Sequence, residues 1–173
     1  MPPDFSLPLA AGRQPCIYTR RLLLRRVQPT DVPALLPISF FQGRRAETLA
    51  EAQAMRRRIY VKEVATGRGL HWALTLRATG KVLGSAGFYR GFADGRGEIG
   101  YILLPAFRGH GYATEAVVAM TAFGFHRLGL REVFAQTDPG NSASVAVLHR
   151  AGFAEDAEAR SADARLFRWM PAH

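Results

Sequence analysis

The chain has 173 residues, 48% of them hydrophobic and 21% charged, a balance that supports a buried core and excludes a disordered polymer. Twenty-three basic residues face 14 acidic ones for a formal charge of +9, so phosphates, acidic substrates and nucleic acid are the ligands its field attracts. One cysteine, Cys16, excludes an intrachain disulfide, and with no Cys-x-x-Cys pair and five scattered histidines the sequence offers no metal site.

The start, Met1-Pro2-Pro3-Asp4, lacks the basic stretch of a secretory leader, and no run reaches about 18 apolar residues. The expectation is a cytoplasmic protein with no membrane partner. The positive charge is uneven, since residues 1–70 hold twelve basic and five acidic side chains. Nearly all are arginine, which suits bidentate phosphate contacts. No helix-turn-helix, RNP-like aromatic pair or zinc finger accompanies them, so nucleic acid is disfavoured as a partner.

Residues 1–15 are proline-rich and aperiodic, which reads as a loose arm, with residues 16–173 as one domain. Ile17 to Val27 reads as a strand, with Leu22 and Leu24 on one face and Leu23 and Arg25 on the other. Pro29-Thr30-Asp31 starts a helix, with Thr30 or Asp31 as its cap. A basic helix over Ala46 to Thr66 follows, its apolar positions forming only a rough stripe. Three runs, His71 to Arg77, Lys81 to Tyr89 and Gly97 to Leu104, are separated by turn signals at Thr79-Gly80 and Asp94-Gly95 and read as an antiparallel meander. Pro105 stops the third strand.

A helix over Ala113 to Leu128 shows helical spacing at Ala116, Val117, Met120 and Phe123, and Gly129 closes it. Glu132 to Thr137 is a strand and Ser142 to Ala151 a short helix. Two final strands fit Phe153 to Arg160 and Arg165 to Met170. The order specifies a mixed α/β domain, a sheet with helices on both faces.

The loop between the third meander strand and the long helix carries the strongest chemical signal: Arg108-Gly109-His110-Gly111-Tyr112-Ala113. Glycines let a ligand approach the backbone, the helix N-terminus presents unpaired N–H groups, and its dipole favours anions. Arg108 adds fixed positive charge. A diphosphate is a fitting ligand. A glycine pair before a helix is also ordinary turn chemistry, so the loop alone names no function.

Four segments together carry a resemblance. Arg108 to Ala113 matches the Arg/Gln-x-x-Gly-x-Gly/Ala signature of the GNAT N-acetyltransferases. Glu98-Ile-Gly-Tyr with Gly111-Tyr-Ala-Thr-Glu-Ala116 resembles the ribosomal-protein (RimJ/RimL-like) branch. So do Asn141-Ser-Ala-Ser144-Val-Ala-Val-Leu-His-Arg-Ala-Gly-Phe153 and the opening Thr19-Arg-Arg-Leu-Leu-Leu-Arg25, with Asp31 behind it. The resemblance covers about Tyr18 to Met170.

It implies a mostly antiparallel mixed sheet of about seven strands with helices on both faces, splayed in the middle to hold acetyl-CoA as cosubstrate, with no metal. Arg108, Gly109, His110, Gly111, Tyr112 and Ala113 would take the pyrophosphate. The backbone of Ile102, Leu103 and Leu104 would pair with the pantetheine arm as an added strand does. Asn141 would hydrogen-bond that arm or cap the following helix. The implied reaction moves an acetyl group to a primary amine, a protein N-terminus or small amine, by direct attack in a ternary complex.

Glu98 is the candidate base, with a surface glutamate as the alternative. Leu148 stands where many relatives carry the tyrosine that serves the leaving thiolate, and Ser144 is the replacement the branch suggests; a small first-turn helix residue is the other account of it. An imidazole titrates in a suitable range, but helical spacing turns His149 about 100° from Leu148 toward solvent; Tyr112 is a further candidate for the acid, with packing as its simpler role. Trp72 and Trp169 suit either core or groove. Arg44-Arg45 and Arg56-Arg57-Arg58 read more simply as solvated faces than as an acceptor site. The chain would act as a monomer or homodimer. The rivals are a non-catalytic acyl-CoA-binding sensor on the same fold and a basic nucleic-acid-binding protein.

Overall fold

A computed structural model of the chain describes residues 14–41, 44–59, 64–65, 69–90, 92–159 and 161–171. Most of the arm expected over residues 1–15 lies outside them. Its last two residues are tied down: Gln14 Nε2 donates to the His71 carbonyl at 2.7 Å, and the Pro15 carbonyl accepts from Trp72 Nε1 at 2.7 Å.

The strand expected over Ile17 to Val27 is a hairpin, β1 (Ile17–Tyr18) and β2 (Leu22–Arg26). Thr19 folds it: its N–H donates to the Leu22 carbonyl at 2.9 Å, and its hydroxyl accepts from the Leu22 N–H at 2.8 Å. A hydroxyl that satisfies a turn donor competes with strand continuation, a signal that strand periodicity does not carry. Gln28 precedes a helical stretch in which Asp31 Oδ2 accepts from the Gln28 N–H at 2.7 Å, leading into α1 (Val32–Leu35). A minor hairpin, β3 (Phe40–Phe41) with β4 (Arg44–Arg45), leads to α2 (Leu49–Ile59). Residues 60–63 and 66, in the second half of the basic helix expected to run to Thr66, lie outside the described residues.

The meander is β5 (Leu70–Leu76), β6 (Val82–Tyr89) and β7 (Arg96–Leu103). Then come α3 (Tyr112–Leu128), β8 (Glu132–Thr137), α4 (Ser142–Arg150), β9 (Ala154–Asp156) and β10 (Arg165–Trp169). The main sheet has eight strands in the order β1-β2-β5-β6-β7-β8-β10-β9. Every neighbouring pair is antiparallel except β7 with β8. Splitting the first strand accounts for the eighth.

Alternation along the strands sends Leu22, Leu24, Trp72, Leu74, Ala86 and Phe88 to one face, and Leu83, at a register shift between β5 and β6, joins them in the core, all fully buried. Trp72 is core: it meets Phe88 and Phe123 edge-on at 6.3 and 5.6 Å. α3 covers this face with buried Ala116, Val117, Met120 and Phe123, the stripe its sequence spacing specifies. It ends at Gly129, φ 66°, where a left-handed residue lets the Leu130 N–H reach back to the Gly124 carbonyl at 3.1 Å. The other face carries α1, α2 and a second small cluster of Val32, Ala46 and Ala52.

That second face is polar where it meets α2. His71 lines a small void there with Arg26, Val27, Arg56 and Ile59, and desolvation pushes its imidazole down from 6.5 to about 4. The sign follows directly. Below about 6.5 the unfolded chain binds a proton that the folded state refuses, so stability falls as pH drops toward 4 and is flat in this term above 6.5. The slope is at most roughly 1.4 kcal/mol per pH unit. Thermal melts across that window should show the limb in the wild type, and His71→Gln should remove it.

Candidate active site

β7 and β8 pair through three residues only, Arg96 with Glu132, Gly97 with Val133 and Glu98 with Phe134. Beyond Glu98, β7 stays with β6 as far as Leu103, while β8 stays with β10 as far as Thr137. The sheet therefore divides into two leaves joined at their base. On the face opposite α3's core stripe, ion pairs hold that base closed. Arg96 pairs with Glu132 at 3.0 Å, Glu132 with Arg168 at 2.7 Å, and Arg168 with Asp156 at 2.7 Å, crossing β7, β8, β10 and β9 in turn.

A cleft of about 480 Å³ opens where the leaves part. Tyr101, Ile102 and Leu103 of β7 form one wall. Arg108, Gly109, Gly111, Tyr112, Ala113 and Thr114 form the second, and Asn141, Ser144, Val147 and Arg150 of α4 the third. Sequence reasoning singled out most of these. Leu104 and His110 do not line it: the Leu104 N–H is taken by the Leu83 carbonyl at 2.8 Å, and the His110 ring stacks on Tyr112.

The loop wall has features that suit an anion. Gly111 stands at the N-cap of α3 at φ 76°, and no side chain caps the helix. The first-turn N–H groups therefore point toward the cleft at the positive end of the helix dipole. Gly109 is also left-handed, φ 77°, with nothing within 4 Å of where a Cβ would stand. Arg108 is turned inward, its Nε donating to the Leu103 carbonyl at 3.2 Å.

A clamp outside the motif holds this loop in place. Glu115 Oε1 accepts from the Thr19 hydroxyl at 2.6 Å and the Arg21 N–H at 2.7 Å, while its Oε2 accepts from Arg21 Nε at 2.6 Å. Arg21 also donates to the His110 carbonyl at 2.9 Å and lies 4.5 Å above the Tyr112 ring. Burial alone would raise the Glu115 carboxyl, but hydrogen bonds from Thr19 and Arg21 hold it below the ordinary glutamate value. Thr19 to Arg25 and Glu115 were part of the family resemblance, yet their partnership across 94 residues is a tertiary fact.

On α4, Asn141 Oδ1 accepts from the Ser144 N–H at 3.1 Å and so caps the helix. Its amide nitrogen remains available on the exposed rim. Ser144 Oγ lies 2.9 Å from the Tyr101 hydroxyl, a partner that sequence reasoning did not single out. Leu148 is fully buried in the main core, and His149 is exposed, edge-on to Phe167. Neither presents a donor to the cleft, since neither lines it.

Glu98 belongs to the last residue pair that joins the leaves and does not itself line the cleft. Its carboxylate is 13% exposed and meets Arg90 at 3.2 Å; Arg90 is 73% exposed, at φ 60° just after β6. Tyr101 is three positions on from Glu98, an odd offset, so the two face opposite sides of β7. The structure thus brings Asn141, Ser144 and the glycine loop together around the cleft, and leaves Glu98 on the opposite face of β7, paired with Arg90. A second groove of about 630 Å³ continues past Gly109, Gly111, Thr114 and Arg150 to Arg20 and Val118. Among the described residues, no helix is long and apolar enough to cross a membrane.

A divided sheet with an uncapped, glycine-led helix at the cleft defines an acyl-CoA transferase architecture. Residues 21–154 match the acetyltransferase (GNAT) domain model, and the chain belongs to that family of acetyl-CoA-dependent N-acetyltransferases. The N-acetyltransferase YoaA of Bacillus subtilis (strain 168), itself uncharacterised, is 27% identical over 150 residues, 82% of this chain and 84% of its own. The structure of an acetyltransferase from Agrobacterium tumefaciens str. C58 is similar over 97% of both chains, with a TM-score of 0.72 and 25% identity. RimL, a ribosomal L7/L12 alpha-N-protein acetyltransferase solved with coenzyme A, shares the fold. Its TM-score is 0.72 over 88% of this chain and 95% of that one, at 18% identity.

Removing the Glu115 carboxylate leaves Arg21 and Thr19 without their acceptor. Glu115→Ala should cost about 2 kcal/mol, reduced from the fully buried case by the partial exposure of Arg21. Denaturant melts of the two proteins check this. The carboxylate contributes stability above the unfolded glutamate pKa, so the difference between the proteins should shrink as pH falls through the depressed folded value.

Proposed function

We propose that the protein transfers the acetyl group of acetyl-CoA to a primary amine by direct attack in the cleft between β7 and β8. One observation carries the reading: a cleft of about 480 Å³ whose walls are an uncapped, glycine-led helix N-terminus, the length of β7 that β8 no longer flanks, and the Asn141–Ser144 turn. The pyrophosphate suits the first wall, where N–H groups and the helix dipole meet an anion. The pantetheine arm suits the second, as an added strand along Ile102 and Leu103. The Asn141 amide stands beside it. The thioester then lies toward the vertex, near Ser144 on one side and Glu98 on the other.

Three demands follow from the chemistry. The amine must be unprotonated to attack, the carbonyl must be polarised, and the thiolate must be stabilised as it leaves. Glu98 is the base in this reading, directly or through one water. Its partner Arg90 is 73% exposed, so the ion pair is weak enough to yield to a substrate ammonium, which would take the same carboxylate. Ser144 serves the thiolate, and no covalent enzyme intermediate is needed; Cys16 does not line the cleft.

The acceptor is a protein N-terminus or a small amine. Calorimetry with acetyl-CoA, followed by thiol release against N-terminal peptides, polyamines and amino acids, tests the reading. Binding together with thiol release that requires one amine class is expected. Binding with no release from any amine would mark a sensor instead, and tight salt-dependent binding to duplex DNA without acetyl-CoA binding would mark a nucleic-acid protein. Glu98→Gln should lower kcat/KM about 100-fold, within the usual range for a general base, with acetyl-CoA affinity little changed. Unchanged turnover would remove Glu98 from the mechanism.

A further inference from the structure

Leaving-group chemistry on this cleft has an unfilled position. Leu148, where many relatives carry a tyrosine, is buried in the core. The cleft-lining hydroxyls are Tyr101, Tyr112, Thr114 and Ser144. Tyr112 is occupied at the outer wall, stacked on His110 beneath Arg21. Thr114 belongs to the first turn of α3. Tyr101 and Ser144 remain, and they touch.

We infer that Tyr101 is the positioning residue for the leaving thiolate: its phenol holds Ser144 so that the serine hydroxyl donates to sulfur as the C–S bond breaks. The inference rests on the acetyl-transfer reading above and adds a residue to it. Tyr101 stands on β7 three residues beyond Glu98, on the length of strand that has left β8, with its hydroxyl 2.9 Å from Ser144 Oγ and 3.2 Å from the Ser144 carbonyl.

One phenolic proton faces two oxygens of the same serine, and this gives two arrangements. When Tyr101 donates to the carbonyl, the serine proton points back at the phenol and the pair is idle. When Tyr101 donates to Ser144 Oγ, the serine proton is released toward the cleft. An anion forming at sulfur favours the second, and only two O–H rotations separate them. Hydrogen bonds that polarise one another in a partly buried site strengthen the terminal donor. Burial raises the Tyr101 phenol above its ordinary value despite the Ser144 contact, so it stays protonated and donates without surrendering its proton.

The step balances without any other reactant. The amine nitrogen forms a bond to the thioester carbon, and the tetrahedral intermediate collapses by breaking C–S, with the electron pair leaving on sulfur. The proton lost by nitrogen goes to Glu98 or water. The thiolate, held by the serine hydroxyl, takes its proton from water. Amine and thioester become amide and thiol.

Ultraviolet titration of coenzyme A bound to the full chain reads thiolate formation and needs no acceptor. Tyr101→Phe keeps the ring and removes the hydroxyl. It should lower the ionisation constant of the bound thiol about threefold to tenfold, the effect of one neutral hydrogen bond, with melting temperature little changed. In turnover with acetyl-CoA and the fastest amine of the panel, Y101F should lower kcat about tenfold and leave the KM for acetyl-CoA within about twofold. The double variant with Ser144→Ala should be no slower than Ser144→Ala alone, since the pair acts as one donor. An unshifted thiol ionisation in Y101F, or additive losses in the double variant, would overturn the role of Tyr101. Failure of the wild type to bind coenzyme A would instead overturn the acetyl-transfer reading itself.

Discussion

Everything at the site depends on how far β7 and β8 run together. Three residue pairs join them, and past Glu98 β8 no longer pairs with the backbone of β7. Unpaired strand backbone costs free energy unless water or a ligand satisfies it. A ligand with amide groups spaced along an extended chain suits that edge. The charged ladder from Arg96 through Glu132 and Arg168 to Asp156 closes the base, so the opening is confined to one end. Its exposed members are individually weak, but a connected network across four strands fixes their register more firmly than isolated pairs would.

The second constraint is a helix that begins without a cap. α3 starts at a left-handed glycine, so its first N–H groups have no side chain of their own to satisfy them. Such an end is stable only if the loop before it is fixed from elsewhere. Glu115 and Arg21 do this by joining the β1–β2 turn to the helix's first turn and to the His110 carbonyl. The rigidity is thereby supplied from behind, and the face toward the cleft stays open. Preorganised donors of this kind bind an anion without first breaking a protein hydrogen bond.

Two faces of one strand divide the chemistry. Odd positions of β7 face α3 and α4, and Tyr101 among them reaches Ser144. Even positions face the α1–α2 side, and Glu98 among them meets Arg90. The acetyl group in the proposed reading sits at the vertex between these faces, so donor and acceptor approach from opposite sides. The same face that carries Glu98 is lined nearby by His71 and Arg56, and the buried Arg56 Nε has no hydrogen-bond partner among the described residues.

Local chemistry in the sequence determined much of this. Period-two alternation gave the three meander strands, helical spacing gave α3, and Gly129 stopped it where the structure stops it, because these signals act within a few residues. The glycine loop and Asn141 were legible for the same reason. The split of the first strand at Thr19 was not, since a side-chain hydrogen bond to the turn overrode strand periodicity. Nor were the Arg21–Glu115 clamp and the Tyr101–Ser144 contact, whose members lie 94 and 43 residues apart. Sequence by itself determined which segments form strands, helices and an anion-ready loop. Only the tertiary structure decided where β7 leaves β8 and which side chains meet there, because long-range pairing is set by packing and not by any neighbour along the chain.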